Sequence, residues 1–235
     1  MTPAHGLAPG RLYVLWARAD APPVPEADLA ALLSQAEQAR AARFHFERDR
    51  RRYRIGTGWL RWVLGGVTGS DPAALRFERG PQDKPYLASG PSFNLSHSGE
   101  LLLLGVAAEG RVGVDVEVER PIPELDALAG AHFSPAEVAE LAGLPPDERA
   151  RAFLRGWTRK EAFIKALGGG LSLPLDSFTV ALAPGHTPAL LSVTDPDEDW
   201  ASWTVHSIDC DPSAEAAVAW DRPRGEVVAG DGLVG

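Results

Sequence analysis

Cysteine is almost absent: Cys210 is the single one in 235 residues. No internal disulfide can form, and Cys210 stands in no metal-ligand spacing, so a disulfide scaffold and a thiolate zinc site are both excluded. A lone thiol fits a reducing compartment. Long apolar runs are missing too. The longest fall far short of the ~20 residues that span a membrane, and the N-terminus lacks a basic run followed by an apolar segment. The expectation is a soluble, cytoplasmic protein without a membrane partner. Positive charge is in deficit, with 23 Lys and Arg against 32 Asp and Glu for a net −9, which argues against nucleic acid as the main partner. Glycine loops of the Walker and dinucleotide types are absent, as is a Gly-x-Ser-x-Gly elbow.

What is present is enough apolar material for a substantial core, 45% of residues with seven Trp. The scarce positive charge is concentrated: Arg40, Arg43, Arg48, Arg50, Arg51, Arg52, Arg54 and Arg61 crowd one segment. Such a cluster is either a solvated helix face or a seat for a phosphorylated ligand, whose oxygens suit guanidinium forks.

The segment Arg111–Arg120 (RVGVDVEVER) alternates without a break. Val112, Val114, Val116 and Val118 take one face, and Gly113, Asp115, Glu117 and Glu119 the other, the pattern of a half-buried strand. Its carboxylates repeat roughly every 6.5–7 Å. Alone, this row reads as a solvated edge strand with charges outward. With a cation over it, it reads as a hard-metal site, in which one or two carboxylates hold Mg²⁺ beside a phosphate.

Elsewhere, strands are expected at Arg11–Arg18, Leu75–Glu78, Leu101–Ala107, Phe178–Leu182, Ser202–Ile208 and Ala216–Trp220. The 101–107 strand should form a hairpin with the carboxylate strand through Glu109-Gly110. One helix should start at Glu26, on the spacing of Leu29, Leu32, Leu33 and Ala36, and a second should run from about Glu47 to Leu64, ended by Gly65-Gly66. Leu125–Ala131 reads as helical, and Ser134-Pro135-Ala136-Glu137 has the spacing of a capping box with Pro at the first helical position. The helix Pro146–Leu167 follows, stopped by Gly168-Gly169-Gly170. On it Lys160 falls inside the apolar arc of Phe153, Trp157, Ile164 and Leu167, where an ammonium needs a partner. Glu161 lies at the edge of that arc, and an i,i+4 surface pair with Lys165 is its simpler reading. Two halves of similar content divide near Arg111, although their self-similarity is too weak to establish a duplication.

Three separated motifs carry a family resemblance. They are Phe93-Asn-Leu-Ser-His-Ser98, Gly113-Val-Asp-Val-Glu117, and Trp157-Thr-Arg-Lys-Glu-Ala-Phe-Ile-Lys165 with Gly170-Leu-Ser-Leu-Pro-Leu-Asp-Ser-Phe178. Their order and spacing resemble the surfactin-synthetase-type 4′-phosphopantetheinyl transferases from about Leu12 to Trp220. The resemblance implies an α+β fold: a pseudo-twofold pair of similar subdomains, each a small, mainly antiparallel sheet packed with a long helix. The subdomains would be residues 1–111 and 112–222, followed by a flexible tail, 223–235. It implies a monomer that moves phosphopantetheine from coenzyme A to a serine of an apo acyl or peptidyl carrier protein, with Mg²⁺ (or Mn²⁺) as cofactor. Asp115, Glu117 and Glu161 would be the metal ligands. Lys84, Ser96, His97, Asp115 and Lys165 would bind coenzyme A, with Arg40 and Arg52 at its 3′-phosphate, and Lys165 and His97 would also act in catalysis as positive hydrogen-bond donors. For the serine proton, Glu161 is the first choice of acceptor, with Lys165 and Glu137 as others. Two positions depart from the family pattern: Asp83 replaces the usual Gly before Lys84, and the Gly168–Gly170 run lacks a Lys found between glycines in relatives. A Mg²⁺-dependent phosphohydrolase and a non-catalytic coenzyme A or carrier-binding module are the alternatives.

Overall fold

The computed structural model describes residues 6–168, 173–186, 189–193, 199–223 and 225–231. The fold is α+β, with small, mainly antiparallel sheets packed against helices. The order β1 (Arg11–Arg18), α1 (Glu26–Ala31), α2 (Gln35–Ala42), α3 (Glu47–Thr68), β2 (Phe77–Arg79), β3 (Pro85–Leu87), β4 (Ser92–Ser98), β5 (Leu101–Ala107) is followed by an equivalent series. That series is β6 (Val112–Val118), α4 (Leu125–His132), α5 (Pro135–Ala142), α6 (Pro146–Leu167), β7 (Phe178–Val180), β8 (Leu190–Val193), β9 (Thr204–Ser207), β10 (Ala214–Trp220). Strand orders repeat as well: β1-β5-β4 is matched by β6-β10-β9, and the ribbon β2-β3 by β7-β8.

The recurrence extends to buried charge. Ser34 and Ser134 each open a capping box, with Glu37 and Glu137 at the third helical position. Each glutamate then meets the fifteenth residue of a 22-residue helix, Arg61 on α3 and Lys160 on α6. Arg61 Nε lies 2.8 Å from Glu37, and its guanidinium also donates to the Pro72 and Leu75 carbonyls. Lys160 Nζ lies 2.8 Å from Glu137 and donates to the Leu175 and Phe178 carbonyls. The inward lysine on α6 thus has the partner its position required.

Five sequence expectations need correction. The helix begun at Glu26 breaks after Ala31, because Ser34 accepts from the Glu37 N–H and starts α2 afresh. Helix α3 passes through Gly65-Gly66 and ends at Gly69, which has φ 67°. Gly65 serves packing instead, since a Cβ there would come within 2.5 Å of the Pro72 ring. The strands β5 and β6 form no hairpin: β5 pairs with β4 and β1, and β6 with β10. Nor is β6 half-exposed. Val112 through Val116 are all buried, and α6 covers the Gly113 face so closely that a Cβ would lie 2.0 Å from the Ala162 carbonyl. Finally, the expected flexible tail carries β11 (Glu226–Asp231), which adds to β1 in parallel, giving the order β11-β1-β5-β4. Gly168 ends α6 with φ 74°, as expected, whereas Gly169 and Gly170 lie outside the described residues.

Candidate active site

The edge of β6 that does not pair with β10 faces β4, and there side chains replace the backbone ladder. Asn94 Oδ1 accepts from the Val114 N–H at 2.8 Å, and Ser98 Oγ accepts from the Val118 N–H at 3.1 Å. Between them Ser96 Oγ donates to Asp115 Oδ1 at 2.8 Å. Period-two alternation puts residues 94, 96 and 98 on this side of β4. Phe93 and Leu95 face the α3 cluster instead. The same alternation carries His97 to the α3 side, where it is exposed, so Ser96 and His97 serve opposite faces of one strand.

Helix α6 closes the site. Lys165 Nζ lies 2.5 Å from Asp115 Oδ1 and 3.1 Å from Ser96 Oγ. Burial raises the Asp115 carboxyl above the usual range, and the Lys165 ammonium and the Ser96 hydroxyl oppose that rise. Asp115 Oδ2 is buried and has no hydrogen-bond partner among the described residues. Glu117 Oε2 accepts from Ser98 Oγ at 2.9 Å and from Arg120 Nη1 at 2.6 Å. Glu161, on α6, is raised by burial first, then by the charges of Asp115 and Glu117, against a lowering by Lys165. The carboxylates of β6 and α6 therefore feel one another, and the structure brings Ser96, Asp115, Glu117, Glu161 and Lys165 into one neighbourhood.

Among the described residues, no three His, Cys, Asp or Glu side chains stand in a ready metal-holding arrangement. The chemistry of the group nonetheless fits a hard cation. Oxygen donors predominate, their mutual repulsion favours a positive ion among them, and Asp115 Oδ2 is a desolvated acceptor with nothing to accept.

Lys84 enters from the β2-β3 ribbon. Its Nζ donates to the carbonyls of Val112, at 2.9 Å, and Lys165, at 2.5 Å. An ammonium has three protons, so one remains for a ligand. Burial, helped by Lys165, lowers Lys84 to about 8. The preceding Asp83 holds φ 62°, the left-handed conformation that favours glycine, so the Gly-to-Asp departure is accommodated by a residue type tolerant of that region. Its carboxylate takes Arg40 at 3.1 Å and Arg79 at 3.4 Å. Arg52 pairs with Glu100 in the β4-β5 turn. Arg40 and Arg52 thus lie outside the carboxylate group, each on an acidic partner.

Glu137 is not available as a proton acceptor. It is 1% exposed, its Oε2 takes the Ser134 N–H and Lys160, and its Oε1 takes the Val180 N–H. Residues that sequence reasoning left without a role are Asn94, Ser98 and Arg120. Their period-two and i,i+3 relations to the carboxylate strand become meaningful only once β4 lies beside β6.

Beside Glu117 opens a groove of 440 Å³ lined by Arg120, Pro121, Ile122, Leu128, Phe153 and Trp157 among others. No helix among the described residues is long and apolar enough to cross a membrane.

Comparison with known proteins identifies the family. Residues 111–220 match the model of the 4′-phosphopantetheinyl transferase superfamily, and residues 23–110 match that of the 4′-phosphopantetheinyl transferase N-terminal region. The 4′-phosphopantetheinyl transferase HetI of a Nostoc species is 40% identical over 197 residues, covering 82% of this chain and 80% of the relative. The 4′-phosphopantetheinyl transferase Sfp of Bacillus subtilis is 32% identical over 193 residues, covering 81% and 83%. The AcpT transferase of Salmonella typhimurium is 38% identical over 148 residues, covering 61% and 74%. The motif order in the sequence, the carboxylate strand under α6 and these matches lead to one assignment: the chain belongs to the 4′-phosphopantetheinyl transferase superfamily.

Proposed function

We propose that the chain transfers 4′-phosphopantetheine from coenzyme A to a serine of an apo acyl or peptidyl carrier protein, with Mg²⁺ held by Asp115, Glu117 and Glu161. The observation that supports this most directly is the buried Asp115 Oδ2, without a hydrogen-bond partner among the described residues, beside Lys165 and Glu161. The serine Oγ attacks the β-phosphorus, the bond from that phosphorus to the bridging oxygen breaks, and 3′,5′-adenosine diphosphate leaves. Such transfers need placement and charge neutralisation more than covalent help. Mg²⁺, when bound, supplies neutralisation of the diphosphate.

The chain's own residues do the rest. Lys165 donates to the diphosphate and Lys84 to coenzyme A. Ser96 sits at the floor of the site, and His97 serves the adenosine-side phosphates from the other face of β4. Arg40 and Arg52, on exchangeable acidic partners, receive the 3′-phosphate. Glu161 takes the serine proton, since its raised pKa makes it a better acceptor than an ordinary carboxylate. The carrier docks over Pro121–Phe133, where the apolar groove adjoins Glu117 through Arg120.

We read residues 1–111 and 112–222 as two copies of one unit, with the site between β4 and β6 of opposite copies. Pairing registers place Leu15 and Ala17 of β1 where β6 has Asp115 and Glu117. The first copy therefore offers apolar residues where the second offers ligands, which accounts for a single site. A monomer in the cytoplasm is the expected form, in keeping with a single, half-buried cysteine, Cys210.

Intact-mass spectrometry tests the reaction directly: an apo carrier is incubated with the chain, coenzyme A and Mg²⁺, with EDTA as control. A carrier heavier by one phosphopantetheine only with metal supports the reading. Release of free phosphopantetheine without a carrier would favour the phosphohydrolase. Coenzyme A binding with no modification of fatty-acid, polyketide or peptide-synthetase carriers would favour the binding module.

A further inference from the structure

Asp115 and Glu117 are held in the same way. Asp115 Oδ1 takes Ser96 and the cation Lys165, and among the described residues nothing donates to Oδ2. Glu117 Oε2 takes Ser98 and the cation Arg120, and among the described residues no hydrogen-bond donor reaches Oε1. Two serines two residues apart on β4 thus serve two carboxylates two residues apart on β6, so the pleats of the two strands are in step. In each carboxylate one oxygen is occupied by a serine and a cation, and the other is spared.

We propose that Ser98 is a positioning residue for the metal site: it orients Glu117 toward the cation and takes no part in binding coenzyme A. This rests on the reading of Glu117 as a metal ligand. A bare capping role for Ser98 would use only its lone pair, on the Val118 N–H at 3.1 Å. Its single proton has a separate use, on Glu117 Oε2 at 2.9 Å. One hydroxyl thereby ties the carboxylate to the backbone of its own strand and to β4, fixing the side-chain rotamer. Arg120 is 57% exposed at its side chain, and a mobile surface guanidinium alone would orient Glu117 loosely. Partners that hold a ligating carboxylate commonly contribute about 10–100-fold to metal affinity.

The test measures metal binding separately from turnover. Mn²⁺ is titrated into the full chain, alone and saturated with coenzyme A, and followed by electron paramagnetic resonance. Coenzyme A binding in EDTA is measured by calorimetry. Ser98→Ala is expected to weaken Mn²⁺ binding about 10-fold while coenzyme A affinity in EDTA stays unchanged. Ser98→Thr, which keeps the hydroxyl on a strand-compatible side chain, should restore Mn²⁺ binding. In a Glu117→Gln background Ser98→Ala should add nothing, because the group it orients is gone. Unchanged Mn²⁺ binding in Ser98→Ala would overturn the proposal alone. Parallel losses of Mn²⁺ and coenzyme A binding, unrescued by threonine, would also overturn it by showing a general structural defect. Absence of Mn²⁺ binding by the unsubstituted chain would overturn the metal reading itself and this proposal with it.

Discussion

Lys165 Nζ lies 2.5 Å from Asp115 Oδ1, so the helix that closes the site supplies a cation to the carboxylate at its floor. The same ammonium reaches Ser96 Oγ at 3.1 Å. It therefore has two fixed partners and one donor direction left for a phosphate oxygen. Lys165→Met keeps the stem and removes the charge. Transfer should fall about 10²–10³-fold, the range for losing one donor to developing charge. Mn²⁺ affinity should hold or improve, because Asp115 loses a competing cation. Loss of Mn²⁺ binding in this variant would mean that Lys165 builds the metal site and does not act on the diphosphate.

Glu161 carries a stability cost that the metal should remove. Its pKa is raised by burial and by Asp115 and Glu117. The sign follows from linkage: a carboxyl whose folded value exceeds its unfolded value favours the folded state when protonated. That contribution is present at pH below the unfolded value and is lost as pH rises through the folded value. At pH 7.5 without metal, Glu161→Gln should therefore raise Tm, by about 2 °C for a chain of this size. With saturating Mg²⁺ the parent should gain more than the variant, and the order should narrow or invert. Transfer by Glu161→Gln should be abolished while the protein stays folded. A variant less stable than its parent in EDTA would show that Glu161 is instead a net structural asset.

The buried pair Glu137 and Lys160 should behave oppositely, as structure without chemistry. Both side chains are fully buried, and every oxygen of Glu137 is occupied. Lys160→Ala leaves the carboxylate unpaired and should cost about 3–5 kcal/mol, whereas Glu137→Leu with Lys160→Met should recover much of that loss. Chemical denaturation measures both. Turnover per folded molecule should be unchanged in Glu137→Gln, since the residue cannot reach a serine proton. A selective fall in kcat there would restore Glu137 as a candidate base.

The parts legible in the sequence are those set by local rules. Strand β1, the alternation of β6, and the proline-led start and glycine stop of α6 all follow from neighbours within a few residues. The Ser34 box was legible too, but the continuous spacing of Leu29, Leu32 and Leu33 masked the break it causes. What local rules cannot supply is which strands meet. Strand β11 pairs with β1 across some two hundred positions, and β6 takes β10 over its sequence neighbour β5. The site follows the same division. Asp115, Glu117 and Glu161 stood out by motif, whereas Ser98 and Arg120 gained a role only when the β4-β6 contact placed them on Glu117. Glu137 shows the reverse, a motif residue whose carboxylate is consumed by capping and by Lys160.

Lys84 gives the chain a pH signature. Burial and the nearby Lys165 lower it to about 8, and its two fixed acceptors are the carbonyls of Val112 and Lys165. A lysine whose folded value lies below its unfolded value favours the folded state when neutral. Its contribution to stability is thus fully present above the unfolded value and is lost as pH falls through about 8. Coenzyme A favours the opposite state, because its anionic oxygens bind the ammonium and not the amine. Between pH 8 and 9.5, coenzyme A affinity in EDTA should therefore fall, by up to about tenfold per pH unit, while the contribution of Lys84 to stability rises. Lys84→Arg keeps the charge at every pH in this window and should flatten the alkaline limb of the calorimetric Kd, even if its longer fork weakens binding at pH 7. An alkaline limb identical in parent and Lys84→Arg would take Lys84 off the ligand and leave it as a tie between β6 and the end of α6.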